Sequence, residues 1–110
     1  MRDLKKIKRI LILGKPFRVI FRKKETRELV KDRKQKRFLL GTCSVDEQRL
    51  VVADHMSIEE TLDTILHEAF HVLESYMRYD SDELYVARMS TVLTAFLLDN
   101  FKIVLKKEML

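Results

Sequence analysis

A chain of 110 residues, 46% of them apolar, can bury one modest core, so the composition predicts a single domain over 1–110 with no second subdomain to wall a deep cleft. One cysteine excludes a disulfide framework, and the apolar run at residues 10–13, behind Lys5, Lys6, Lys8 and Arg9, is far too short for a secretory signal or a membrane span. The expectation is a soluble, cytoplasmic protein. Its net charge of +5 conceals a division: residues 1–37 carry 16 Lys and Arg against 4 Asp and Glu, while residues 38–110 carry 6 against 13.

In chain order, the first strand signal is the β-branched and aromatic run at residues 17–21, which follows Gly14 and Pro16. The basic clusters Arg22-Lys23-Lys24 and Arg33-Lys34-Gln35-Lys36-Arg37 flank residues 25–32, which read as a short helix or loop. Residues 38–43 and 50–53 form a hairpin pattern around a loop at 44–48. These strands predict a small, mainly antiparallel sheet packed on the helix that follows, an α+β fold.

That helix opens at Ser57, with Glu60 three residues on, the signature of a capping box. Leu62, Ile65, Leu66, Ala69, Phe70, Leu73 and Met77 recur at helical spacing as its apolar stripe. Beside the stripe stands His67-Glu68-Ala69-Phe70-His71. Residues i and i+4 share a helix face, so His67 and His71 can aim imidazole nitrogens at one zinc ion about 2 Å from each. Glu68, roughly 100° further round the turn, comes beside such an ion as a candidate general base.

A catalytic zinc needs a third protein ligand, and no histidine follows His71. Residues 76–81 form a short reversal into a second helix beginning near Asp82 and expected to bury Val86, Met89, Leu93, Phe96 and Leu97. Glu83 in its first turn is the leading third ligand, with Asp82, Asp80 and Glu74 as competitors. The small residues Ala87, Ser90 and Thr94 would let the two helices approach closely enough for a carboxylate to reach the metal.

This combination of His67-Glu68-x-x-His71 with a following helix that offers Glu83 and continues Val86-Ala87-Arg88-Met89 resembles the gluzincin zinc metallopeptidases, whose third ligand comes from a glutamate helix. At its length the chain resembles the minigluzincins, minimal scaffolds from thermophilic prokaryotes, and it is also similar to small phage-type metallopeptidases near Leu97-Leu98-Asp99-Asn100. The resemblance implies one zinc ion held by His67, His71 and Glu83, Glu68 as general base, and a peptide or protein substrate laid along an edge strand. It leaves the transition-state-stabilising residue open among Tyr76, Tyr79 and Tyr85. It also implies C-terminal latency: the apolar tail after Asn100 would fold over the groove, or cross into a neighbouring molecule, and offer Glu108 or the terminal carboxylate to the zinc. The plainer alternative is that Ile103, Val104 and Leu105 complete the core.

Two classes of function follow. One is a zinc-dependent endopeptidase, monomeric or weakly homodimeric. The other is a basic module that binds nucleic acid or an acidic protein, with a structural metal or none; no aromatic residues interleave its charge clusters, so nucleic acid is the less favoured partner.

Overall fold

The structure, a computed structural model, describes residues 4–24, 26–32 and 37–110. After a 3-10 turn at Leu4–Lys6, strand β1 (Arg9–Ile12) turns back into β2 (Lys15–Arg22) through Leu13 and Gly14. Both turn residues have positive φ, 51° and 78°, the backbone of a two-residue hairpin whose twist matches its strands. Residues 25–32 were expected to form a helix or loop; over the described part they make a 3-10 turn at Arg27–Leu29 and strand β3 (Val30–Asp32), which pairs with β4 (Arg37–Phe38). Residues 33–36 of the second basic cluster lie outside the described part.

The expected hairpin is present as β5 (Gly41–Ser44) and β6 (Arg49–Ala53), although residues 38–43 do not form one strand, since β4 ends at Phe38. The four-stranded sheet runs β1-β2-β6-β5 and is mixed: β1/β2 and β5/β6 are antiparallel, whereas β2 and β6 are parallel. The sheet expected to be mainly antiparallel thus has one parallel pair at its centre. The reason lies in β6, whose Leu50, Val51, Val52 and Ala53 are all buried. A strand that is apolar on both faces belongs in the middle of a sheet, and β6 gains that place by accepting β2 on one side and β5 on the other.

Helix α1 (Ile58–Met77) crosses this sheet. Ser57 caps it by accepting the Glu60 N–H at 3.1 Å, and its hydroxyl donates to Glu60 Oε1 at 2.9 Å. The capping pair is as expected, but the glutamate meets the serine hydroxyl rather than its amide. Leu62, Ile65 and Val72 are buried with Thr61, Thr64 and Glu68, so the inward face is rotated toward the motif glutamate and Met77 is left exposed. Arg78 then ends the helix in left-handed conformation at φ 54°.

Helix α2 (Glu83–Asn100) is capped by Asp82, whose side chain accepts the Tyr85 N–H at 2.7 Å. It packs on α1 through Ser90, Thr94 and Val86, the close approach that the small residues predicted. The expected burial of Met89 and Phe96 is not found; both are exposed, and Leu93 and Leu97 are only partly covered. Among the described elements α1 is the main neighbour of α2, and one neighbouring helix covers one side of it. The tail takes the core-completing alternative only in part: it leaves the helix at Asn100, Ile103, Leu105 and Met109 pack on the core, Val104 is exposed, and Met109 C=O accepts the Lys8 N–H at 2.7 Å beside β1. Among the described residues no helix is long and apolar enough to cross a membrane.

Candidate metal centre

The sequence decides the positions of the two histidines once α1 exists: four positions apart, they stand one turn apart with their rings edge-on, centroids 4.8 Å from each other. His67 Nε2 and His71 Nε2 lie 3.1 Å from each other. The carboxylate of Glu83 spans both, with Oε1 2.5 Å from His67 Nε2 and Oε2 2.9 Å from His71 Nε2. Glu83 reaches them because Asp82 starts α2 and the Ser90/Thr94 contact holds α2 close to α1.

Two of the three competitors for the third position are engaged elsewhere. Asp82 is the helix cap. Glu74 accepts both the Ser81 N–H at 2.8 Å and the Ser81 hydroxyl at 2.9 Å, and these two bonds, the hydroxyl first, hold its carboxyl below the usual carboxylate range. Asp80 is exposed in the connector.

The donor set fits a small cation that prefers nitrogen and oxygen. Two Nε2–H groups aimed at one carboxylate crowd each other at 3.1 Å, whereas two lone pairs and a carboxylate oxygen around one metal ion do not. Donor atoms of His67, Glu68 and His71 also lie within 4.8 Å of one another. Glu68 is buried on the sheet side of this group. Burial is the main force pushing its carboxyl above the ordinary range; the two histidines pull it back and Glu83 adds to the rise.

These side chains lie along a cleft of about 730 Å³. Its floor is α1, from Asp63 to His71; Ala87 and Thr91 of α2 form one wall, and Gly41, Thr42 and Cys43 of β5 form the other. Strand β5 is the last of its sheet, paired with β6 alone among the described strands. Asp63 accepts the Ser90 hydroxyl at 2.6 Å and the Thr91 hydroxyl at 2.8 Å, tying the floor to the α2 wall.

Three residues at this cleft carried no site role in the sequence reading. Asp63 was placed only as a companion of the histidines on their face. Cys43 lines the β5 wall, where burial foremost, then Glu68 and Glu83, push its thiol up to about 11. Gly41 lets β5 approach α1: a Cβ there would stand 2.7 Å from Thr64 Cγ2 and 3.3 Å from Glu68 Cγ. A signal for Gly41 was present, because an isolated glycine inside a strand pattern marks close approach of another element. The tyrosines are not brought to the cleft. Tyr76 is half-buried with Lys15 Nζ 4.4 Å above its ring, Tyr85 is exposed on α2, and Tyr79 borders a separate hollow shared with His71. No tail residue lines the cleft, so the expected self-blocking segment is not over the site in the chain itself.

Compared with models of known protein families, with curated protein sequences and with solved structures, the chain matches none of them.

Proposed function

We propose that this chain is a zinc-dependent peptidase of the gluzincin type, with His67, His71 and Glu83 as metal ligands and Glu68 as general base. The observation that carries this reading is the meeting of two imidazole nitrogens from α1 with one carboxylate from α2, at 2.5–3.1 Å from each other, on the floor of an open cleft. Zinc in such a site supplies Lewis acidity, polarising a carbonyl and acidifying water.

The chain's own groups supply the rest. Glu68 takes a proton from the attacking water and passes it to the leaving amine, and a carboxyl raised by burial suits a group that must both accept and return a proton. The β5 edge, which no other described strand pairs, offers its backbone to an extended peptide, a mode of recognition that favours a polypeptide over a small-molecule substrate. Asp63, through Ser90 and Thr91, fixes α2 and hence the position of Glu83.

The test is zinc stoichiometry and hydrolysis of a peptide library by the full chain and its Glu68→Gln variant. The reading expects one zinc in both proteins and turnover only in the first. A chain that takes up no zinc and cleaves nothing, yet binds an oligonucleotide or an acidic protein, would be the basic module instead.

A further inference from the structure

We infer that α2 pairs antiparallel with α2 of a second copy of this chain, through the face it turns away from α1. Tyr85, Met89, Val92 and Phe96 are 56, 40, 64 and 55% exposed. Their spacing of four, three and four residues is that of a helix-pairing seam, so they form one stripe along the helix. Leu84 borders it, and Phe101 extends it, its ring edge-on to Phe96 with centroids 6.1 Å apart.

Area favours a partner. Six such side chains, about half exposed and up to roughly 150–250 Å² each for the aromatic ones, leave on the order of 600 Å² of contiguous apolar surface, at the upper limit for a lone monomer. Burying it on two copies removes about 1,200 Å², the lower end of specific interfaces.

Charge favours a second copy and sets its direction. Besides Glu83 at the metal centre, α2 carries only Arg88 and Asp99. Among the described residues neither has an ion pair. They are eleven positions apart, which returns to within about 20° of the same row of the helix. They therefore stand at opposite ends of the stripe. Antiparallel pairing about a two-fold axis between Val92 and Ala95 sets each Arg88 against Asp99 of the other copy, twice, and opposes the helix dipoles. Parallel pairing would set the two copies' charged rows on opposite sides of the seam, with no Arg88–Asp99 contact. Ala87, Ser90 and Thr91 lie on the other side of α2, so the pairing leaves the cleft open.

Sedimentation equilibrium on the full chain tests this independently of zinc or turnover. The expected result is reversible dimerisation with a Kd on the order of 10 µM. Val92→Glu should be monomeric with unchanged helical circular dichroism, since Val92 supports nothing within the chain. Arg88→Glu and Asp99→Arg should each weaken the dimer about tenfold, and the double reversal should restore it. A chain that is monomeric at all concentrations, a dimer indifferent to Val92→Glu, or a double variant no better than the singles would overturn the inference. So would a monomer that binds neutral phosphatidylcholine vesicles through this stripe, which would give the face to a lipid surface.

Discussion

Gly41 on the edge strand and Glu68 on the motif helix are separated by the space of one missing methyl group. A Cβ at position 41 would meet Thr64 Cγ2 at 2.7 Å, the Val51 carbonyl oxygen at 3.1 Å and Glu68 Cγ at 3.3 Å. Thr64 is buried and too short to swing aside, so Gly41→Ala must push β5 off α1 or displace Glu68. The expected cost is about 1–3 kcal/mol of stability, as for overpacking elsewhere. A peptidase should also lose most of its kcat while keeping its zinc. Urea titration and metal analysis on the one variant measure both.

Asp82 and Glu83 are adjacent and acidic, yet the structure gives them separate tasks. Asp82 caps α2, so Asp82→Ala should cost about 1 kcal/mol of stability and leave zinc binding intact. Glu83→Ala should do the reverse: little change in melting, and a large loss of zinc affinity, as should His67→Ala and His71→Ala. Calorimetric zinc titration beside thermal melts would expose an exchange of these roles.

Much of this arrangement was legible because it is local. Ser57 and Asp82 mark helix starts through cap chemistry that acts over three residues, and Ala87, Ser90 and Thr94 announce a close helix contact by their size alone. The use of Asp82 as a cap even narrows the choice of third ligand, since a side chain cannot easily serve both ends. What could not be read is set by partners distant in sequence. The run at residues 10–13 was too short to declare itself a strand without β2, and nothing near Leu50 or Phe21 says that their strands run parallel. The apolar residues of α2 predicted burial, but their pattern does not reveal how many neighbours exist to bury them. Asp63 illustrates the same limit: its bond to Ser90 spans 27 residues.

That Asp63 bond has a measurable consequence. A carboxylate accepting two hydroxyls from the facing helix contributes about 1.5–3 kcal/mol, and its loss leaves both hydroxyls only the Ala87 carbonyl, 3.0 Å from each, as acceptor. Asp63→Ala should therefore destabilise the chain by that amount, while Ser90→Ala combined with it should add much less than the sum. A double-mutant cycle followed by chemical denaturation reads the coupling; fully additive effects would contradict the bond.

Removing metal should loosen one helix rather than unfold the chain. Phe17, Leu50, Val52 and Val72 are fully buried between sheet and α1, whereas α2 adds only Val86 as a fully buried apolar side chain. Zinc fingers, which lack such a core, unfold on chelation. Here far-UV circular dichroism should survive chelation at moderate temperature, while amides near the start of α2 exchange on the order of tenfold faster than in the zinc-loaded protein. Global loss of protection would show that the core is weaker than its packing implies.

Cys43 reports on the charge of the cleft. Its thiol is pushed from 9.0 up to about 11, by burial first and then by Glu68 and Glu83, so the fold favours the neutral form. The sign for stability follows: the thiol has no effect below about pH 9, and the unfolded chain gains by releasing its proton as pH rises from 9 toward 11. At pH 8 about one molecule in a thousand carries thiolate, against about one in ten for a thiol of pKa 9.0. Iodoacetamide should therefore label the chelated, folded protein about a hundredfold more slowly than the denatured chain. Glu68→Gln removes one of the neighbouring negative charges, and zinc adds positive charge beside the same wall. Either change should speed labelling, and labelling at the denatured rate in the folded, metal-free protein would show that Cys43 is not buried beside these carboxylates.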